Sequence, residues 1–487
     1  MNKFITNATY LSKDYTWEKG NILIRDGKIA SLNAEISNEF EVIDAQGQII
    51  IPGLINAHSH SYTSYLKGTI DNVPLDIYML HAFAGNTVRN PREIYVSTQL
   101  EGLQLLKFGV TSTFDHFMMR PKPTLEGMSA AADAYNDCGI KANIAPQYSD
   151  LPFTDTVPFE ENELPPEFHS LPSSMSHDEY FSLMSSVIKK HNGKGKINFV
   201  VGVDGPQRCS HELMQMTADF VKEHDCGWHT HVLETKTQAI ASYNRYGKGL
   251  IEYIDDLGLL NPKTSFVHYI WVTDIEKELV RKNQVNIVHC PSSSLHLGSG
   301  VAPVDQLVKD GNKVAIGTDG GNSGNLNMLE KIRLTADLHN LAQPDYDNWL
   351  SAKQSLQMCY ENGSRVMMRK DIGIIDVGYA ADLVFIDTNN ILWQPVRNIM
   401  TQLVYMETGQ NIVRVMVDGE TVIKDGKSVW VDEQSLINEA MIISDKLSAS
   451  TKEAFARLEL QHPYFRNMYL REIKKDIGMN RFIRPVE

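Results

Sequence analysis

The chain has 487 residues, 42% hydrophobic and 22% charged, with 46 basic against 60 acidic residues and a net charge of −14. That length suits one large domain with a satellite, or two domains, and the acidic balance argues against nucleic acid or anionic membrane as partner. No stretch reaches the roughly 18–20 continuous apolar residues of a membrane span, the N-terminus lacks a secretory core, and five scattered cysteines without a Cys-x-x-Cys imply a reduced, cytoplasmic setting.

The first 50 residues read as short strands and turns. Asp26-Gly27 lies between two alternating apolar runs, a hairpin signal. From residue 49 the rhythm changes. Apolar strands are predicted over 49–58, 110–115, 141–146, 198–204, 227–233, 264–268, 286–290 and 313–318. Segments of helical period lie between them, at 92–108, 212–224, 249–257 and 274–282 among others. Strands alternating with helices imply a parallel sheet, and eight such units imply an α/β fold, a (β/α)8 TIM-like barrel. The longest insertion runs from about 147 to 176 and carries five prolines and several acids. A loop of that length in a compact domain reads as a lid or an excursion over a site. Ser176 and Glu179 then form a capping-box pattern that restarts a helix. Residues 381–387 read as a strand, and Asp418-Gly419 marks a second hairpin. The two β-rich ends predict one small β-sandwich domain built from 1–56 and 376–431, around a barrel of 57–375. From 432 to 487 the chain reads as a charged helical extension.

In such a barrel the chemistry lies at the C-terminal ends of the strands. His58 and His60 end the first strand, and residues i and i+2 share a face, so both can point at one ion. Asp115 and His116 end the second strand and Asp204 the fourth. His229, His231 and Glu234 follow the fifth, His268 ends the sixth, His289 lies near the end of the seventh, and Asp319 follows the eighth. A divalent metal takes three or four nitrogen and oxygen ligands, with a position kept for water. His58, His60, one of the two strand-five histidines and Asp319 can supply them. The ion would acidify a water into a nucleophile. Glu234, just past its strand, is placed to shuttle the proton, and His268 to hydrogen-bond the water or the oxyanion. His229 and His231 share parity, so spacing does not separate them.

Together these residues resemble the amidohydrolase superfamily, in the branch of nucleobase deaminases and s-triazine hydrolases. The resemblance rests on Pro52-Gly-Leu-Ile-Asn-Ala-His-Ser-His, His229-Thr-His-Val-Leu-Glu-Thr, Phe266-Val-His, His289-Cys-Pro-Ser-Ser-Ser and Ile316-Gly-Thr-Asp-Gly, in that order. It implies one divalent ion, zinc or iron, on His58, His60, His231 and Asp319. It also implies Glu234 as proton shuttle, His268 as catalytic histidine, Asp319 as proton acceptor, and a homo-oligomer of dimer size or larger. The implied reaction is hydrolytic deamination of a nitrogen heterocycle (purine, pyrimidine, pterin or triazine type) with release of ammonia. The alternative is hydrolysis of a C–Cl bond, or of a cyclic amide, urea or carbamate, by the same site. The chain departs from relatives at Val203-Asp-Gly-Pro, at Tyr269 and Trp271, and at Ser293-Ser294. Asp204, Gln207, Arg208, His116 and Trp271 are therefore the expected substrate-binding residues.

Overall fold

The computed structural model describes residues 2–35, 40–342 and 344–484. Eight strands form a ring: Leu54–Ser59, Val110–Phe117, Lys141–Tyr148, a fourth in two pieces (Ile197–Phe199 and Gly202–Val203), Trp228–Val232, Thr264–His268, Asn286–His289 and Lys313–Ile316. Sequential neighbours pair in parallel. Single bridges complete the ring, Val201 to Trp228 between strands four and five, and Ser59 to Asp319 between one and eight. Helices such as Pro91–Lys107, His211–Glu223 and Asp274–Lys282 alternate with the strands. Every residue of Val110–Phe117 and Lys141–Tyr148 is buried, as parallel strands covered on both faces must be. This is the expected (β/α)8 barrel.

Both termini build one nine-stranded sheet. Leu383–Asp387 lies antiparallel beside Gln48–Pro52 and joins the two halves. The Asp-Gly turns at 26–27 and 418–419 have both residues at positive φ, the conformation a tight two-residue hairpin needs. Alternation gives the sheet two apolar faces. Ile50, Leu383 and Phe385 pack with Ile5, Ile22 and Met416 in a small core of their own. Ile49, Ile51, Val384 and Ile386 join the large core instead.

The apolar run predicted as one strand over 49–58 is two strands, divided at Gly53. The amide of Gly53 donates to the Asp382 carbonyl at 2.8 Å, while that of Leu54 donates to Gly109 at 2.9 Å. The chain thus steps from the terminal sheet into the barrel within one residue. A β-carbon at Gly53 would lie 2.1 Å from Thr111 Oγ1, so only glycine fits the crossing.

The insertion after the third strand holds two single turns, Phe153–Thr156 and Pro166–Phe168, before the capped helix His177–His191. The C-terminal extension is two helices, Glu433–Ser450 and Lys452–Glu472. Among the described residues no helix is long and apolar enough to cross a membrane. All five cysteines are buried and unbridged.

Candidate active site

Barrel closure brings the ends of strands one and eight together. The amides of Thr318 and Asp319 both approach the His58 carbonyl, at 3.1 and 3.0 Å. Asn56 receives the Thr318 amide at 2.9 Å and donates to its hydroxyl at 2.8 Å. A β-carbon at Gly317 would sit 2.8 Å from that of His58, which explains the glycine before Thr318-Asp319.

Three imidazoles meet here. His58 Nε2 and His60 Nε2 are 3.2 Å apart, and His60 Nε2 and His231 Nε2 are 3.3 Å apart. Asp319 Oδ1 lies 3.4 Å from His60 Nε2 and 3.8 Å from His58 Nε2. The other ring nitrogens fix the tautomers. His60 Nδ1 donates to the His116 carbonyl at 2.6 Å, and His231 Nδ1 to the Asp204 carbonyl at 2.7 Å. Both Nε2 atoms are therefore bare lone pairs facing each other, a repulsive arrangement unless a cation lies between them. His58 Nδ1 contacts His229 Nε2 at 2.9 Å, and His229 Nδ1 contacts Ser265 Oγ at 2.6 Å. That relay turns the His58 Nε2 lone pair toward the same point. Tetrahedral zinc with bonds of about 2.0–2.1 Å places its nitrogens about 3.3–3.4 Å apart, so the residues fit such an ion. Metal-binding imidazoles must be neutral, and burial holds His58 well below its ordinary pKa and His60 down at about 4.

Rival groupings fit less well. His268, Cys290 and Asp319 also lie within ligand distance of one another, but burial pushes the Cys290 thiol well up and keeps it protonated. His58, His116 and His229 cluster too, yet His58 turns Nδ1 to His229 as a hydrogen bond. Lys141 takes no part in the cluster. It is buried at the start of its strand, with Nζ 2.6 and 2.7 Å from the two Asp382 oxygens and 2.7 Å from Asp418 Oδ1.

Beside the cluster stand Glu234 and His268. His268 Nε2 is 3.4 Å from Glu234 Oε2 and 4.0 Å from Asp319 Oδ2. Burial, then the nearby Asp319 charge, pushes the Glu234 carboxyl well above its ordinary pKa. Burial pulls His268 down to about 3. For Asp319 burial acts against the charge, but the imidazoles of His268 and His60 outweigh it and hold the carboxyl below its ordinary value. Two neighbouring carboxyls with opposed shifts suit an acid and a base in one site. The backbone is strained at this rim: Leu233, His268, Tyr269 and Asp319 all have φ between 49° and 72°. Such conformations cost free energy in non-glycine residues and cluster where side chains must be aimed.

A cavity of about 40 Å³, open to solvent on one side, lies over these groups. Leu75, Tyr78 and Met79 form an apolar wall, while Gln147, Asp204, Arg208 and Gln238 supply polar groups. Asp204 receives the Arg208 guanidinium at 2.7 Å and approaches His231 Nδ1 at 3.3 Å. It therefore holds His231 while facing the cavity.

Three expected substrate residues lie elsewhere. Trp271 is buried outside the cavity, its indole donating to the Ser299 carbonyl at 2.7 Å, because the positive φ at His268 and Tyr269 turns the chain away. Gln207 faces an adjoining void with Asp76 and Phe153. His116 lies beneath the cluster, its ring 4.7 Å from that of His231, and gives the site its carbonyl rather than its side chain. Sequence reasoning missed His229 as the support of His58, and Gln238, whose Oε1 receives the Glu234 amide at 2.8 Å. The Thr235-Lys-Thr-Gln238 capping pattern was the available signal.

Residues 49–422 match the Amidohydrolase family. A 5'-deoxyadenosine deaminase of Methanosarcina mazei is 28% identical over 437 residues, covering 89% of this chain and 94% of that protein. One of Methanobrevibacter smithii is 29% identical, covering 90% and 96%. Among solved structures, the atrazine chlorohydrolase of Arthrobacter aurescens complexed with zinc superposes with TM-score 0.82 at 22% identity, over 91% of this chain and 100% of that one. An adenosine deaminase of Xanthomonas campestris with bound zinc superposes with TM-score 0.82 at 23% identity, over 92% and 98%.

Proposed function

The chain belongs to the amidohydrolase family, and on that premise we propose that it is a metal-dependent aminohydrolase that deaminates an amino-substituted nitrogen heterocycle of purine type and releases ammonia. The observation that carries this reading is the convergence of three Nε2 atoms and Asp319 Oδ1 beside Glu234 and His268, the first with its pKa pushed well up by burial and the second pulled down to about 3. The relatives named 5'-deoxyadenosine deaminase support the substrate class. His58, His60, His231 and Asp319 would hold one ion, zinc before iron, given imidazole and carboxylate donors at tetrahedral spacing.

Such an ion, when bound, makes water acidic enough to serve as a nucleophile near neutral pH. The remaining work falls to side chains. Asp319 Oδ2 faces His268 and takes a proton from the attacking water. His268 Nε2, between the Glu234 and Asp319 carboxyls, orients the nucleophile toward the amine-bearing carbon. Glu234 gives the proton it holds to the ring nitrogen; as a carboxylate it then takes the proton of the added hydroxyl as the C–N bond breaks and passes it to the departing amine, and the proton held by Asp319 returns to Glu234 to restore the starting state. Leu75, Tyr78 and Met79 offer the ring an apolar face, and Asp204 with Arg208 reads its polar edge. The same reading makes the protein a cytoplasmic homo-oligomer, whose mass light scattering measures.

The test is metal analysis with an ammonia-release screen over aminopurines and their nucleosides, aminopyrimidines, pterins and triazines. Metal-dependent ammonia from an aminopurine or its nucleoside is expected. Chloride release or ring opening without ammonia would replace the reading, and ammonia from none of the panel would overturn it.

A further inference from the structure

We infer that the C-terminal helix Lys452–Glu472, which lies outside the matched span 49–422, backs a wall of the catalytic cavity, with Phe465 as the positioning residue. This rests on the proposed reaction only for its kinetic readout.

The reasoning starts from helix Leu75–Gly85. Leu75, Tyr78 and Met79, at i, i+3 and i+4, form the apolar wall over the candidate metal cluster. Ile77, Leu80 and Ala84 on its other face are also buried, packed with Leu458, Phe465 and Met468. A helix that is apolar all round needs cover on both sides. The barrel and its loops supply one side, and the C-terminal helix supplies the other.

A second contact leads to the polar edge of the site. The Phe465 ring lies parallel to that of Phe153, with centroids 6.1 Å apart, and meets Phe159 edge-on at 4.9 Å. Phe153 belongs to the long insertion. Its ring is covered by the Arg208 guanidinium at 5.2 Å, and Arg208 holds Asp204, the partner of His231. Phe465 therefore backs both the apolar wall and, through one aromatic ring, Arg208. Polar bonds fasten the helix to the insertion: Arg471 donates to the Pro158 carbonyl at 2.7 Å, and Gln461 to that of Phe168 at 3.2 Å. The bound ring rests on groups that the last helix backs, while His268 ends the sixth barrel strand and Glu234 and Asp319 follow the fifth and eighth.

Removing the Phe465 ring should therefore weaken substrate binding more than chemistry. Full-length Phe465→Ala is expected to raise KM about tenfold with kcat within about threefold and metal content unchanged. Phe465→Leu, which keeps most of the apolar volume, should recover KM to within about threefold. Leu460→Ala, on the exposed side of the same helix, should change neither. Hydrogen exchange gives a readout independent of activity: in Phe465→Ala it should accelerate across residues 75–85 and around Phe153, and not in the barrel strands. A variant that loses only thermal stability, with KM and the exchange of 75–85 unchanged, would overturn the inference. If no heterocyclic amine is turned over by the parent protein, the deaminase reading fails and exchange alone decides the positioning role.

Discussion

Replacing Glu234 by glutamine separates proton delivery from metal binding. The side chain is buried, its Oε2 lies 3.4 Å from His268 Nε2, and its Oε1 lies 3.5 Å from Ser299 Oγ. Burial, then the Asp319 charge, raises its pKa well above the ordinary carboxylate value, which favours the protonated form. Glutamine has the same shape and is neutral, so packing and folding should hardly change. What disappears is the acidic proton. A positioned general acid contributes about 10²–10⁴ in rate, and in the proposed reaction Glu234 acts twice, at the ring nitrogen and at the leaving amine. The upper end, a fall of about 10⁴ in kcat, corresponds to about 5.4 kcal/mol of transition-state stabilisation. Glu234 is in none of the ligand groupings, so metal content should stay at the parent level. The assay is coupled ammonia release with elemental analysis of the same sample. A kcat within tenfold of the parent, with metal retained, would refute the proton-shuttle role. Loss of the metal would refute the separation of Glu234 from the ligand set.

Three further outcomes test the scaffold. Burial holds the Asp76 carboxyl at about 6, up from 3.8, so the folded state keeps a proton that the unfolded chain releases. Stability from this group is complete below pH 3.8 and is lost as pH rises through 6, up to about 3 kcal/mol. Urea midpoints of Asp76→Asn should lack that decline between pH 4 and 6, and parallel profiles would contradict it. Gly53→Ala forces a β-carbon 2.1 Å from Thr111 Oγ1 and should cost about 1–3 kcal/mol by thermal melting, largely recovered by adding Thr111→Ala. Lys141→Met leaves the Asp382 carboxylate buried without its cation and should cost about 3–5 kcal/mol. The folded fraction should keep its metal and its kcat, whereas metal loss would assign Lys141 a role as ligand.

Much of this was legible because strand periodicity and strand ends carry the information. The alternation of His58 and His60, the eight strands and the Asp-Gly hairpins follow from local chemistry. The break at Gly53 was hidden because both sides of it are equally apolar, each strand being buried in a different layer. His229 and His231 both face into the barrel, and parity does not encode depth: His229 sits one level lower, against Phe114 at 4.0 Å, and props His58. Trp271 was expected at the substrate because it departs from the relatives, but a departure in sequence does not encode direction: the positive φ at His268 and Tyr269 turns the chain so that its indole meets Ser299. The contact between Phe465 and Phe153 joins segments about 300 residues apart, and no local pattern in either announces the other.

The most direct measurement is a metal titration of the stripped protein, following ammonia released from the amine found by the screen. Activity should rise linearly with added zinc and level off at one ion per chain. Full ammonia release from the stripped protein, or a plateau at two ions, would contradict a single-ion site on His58, His60, His231 and Asp319.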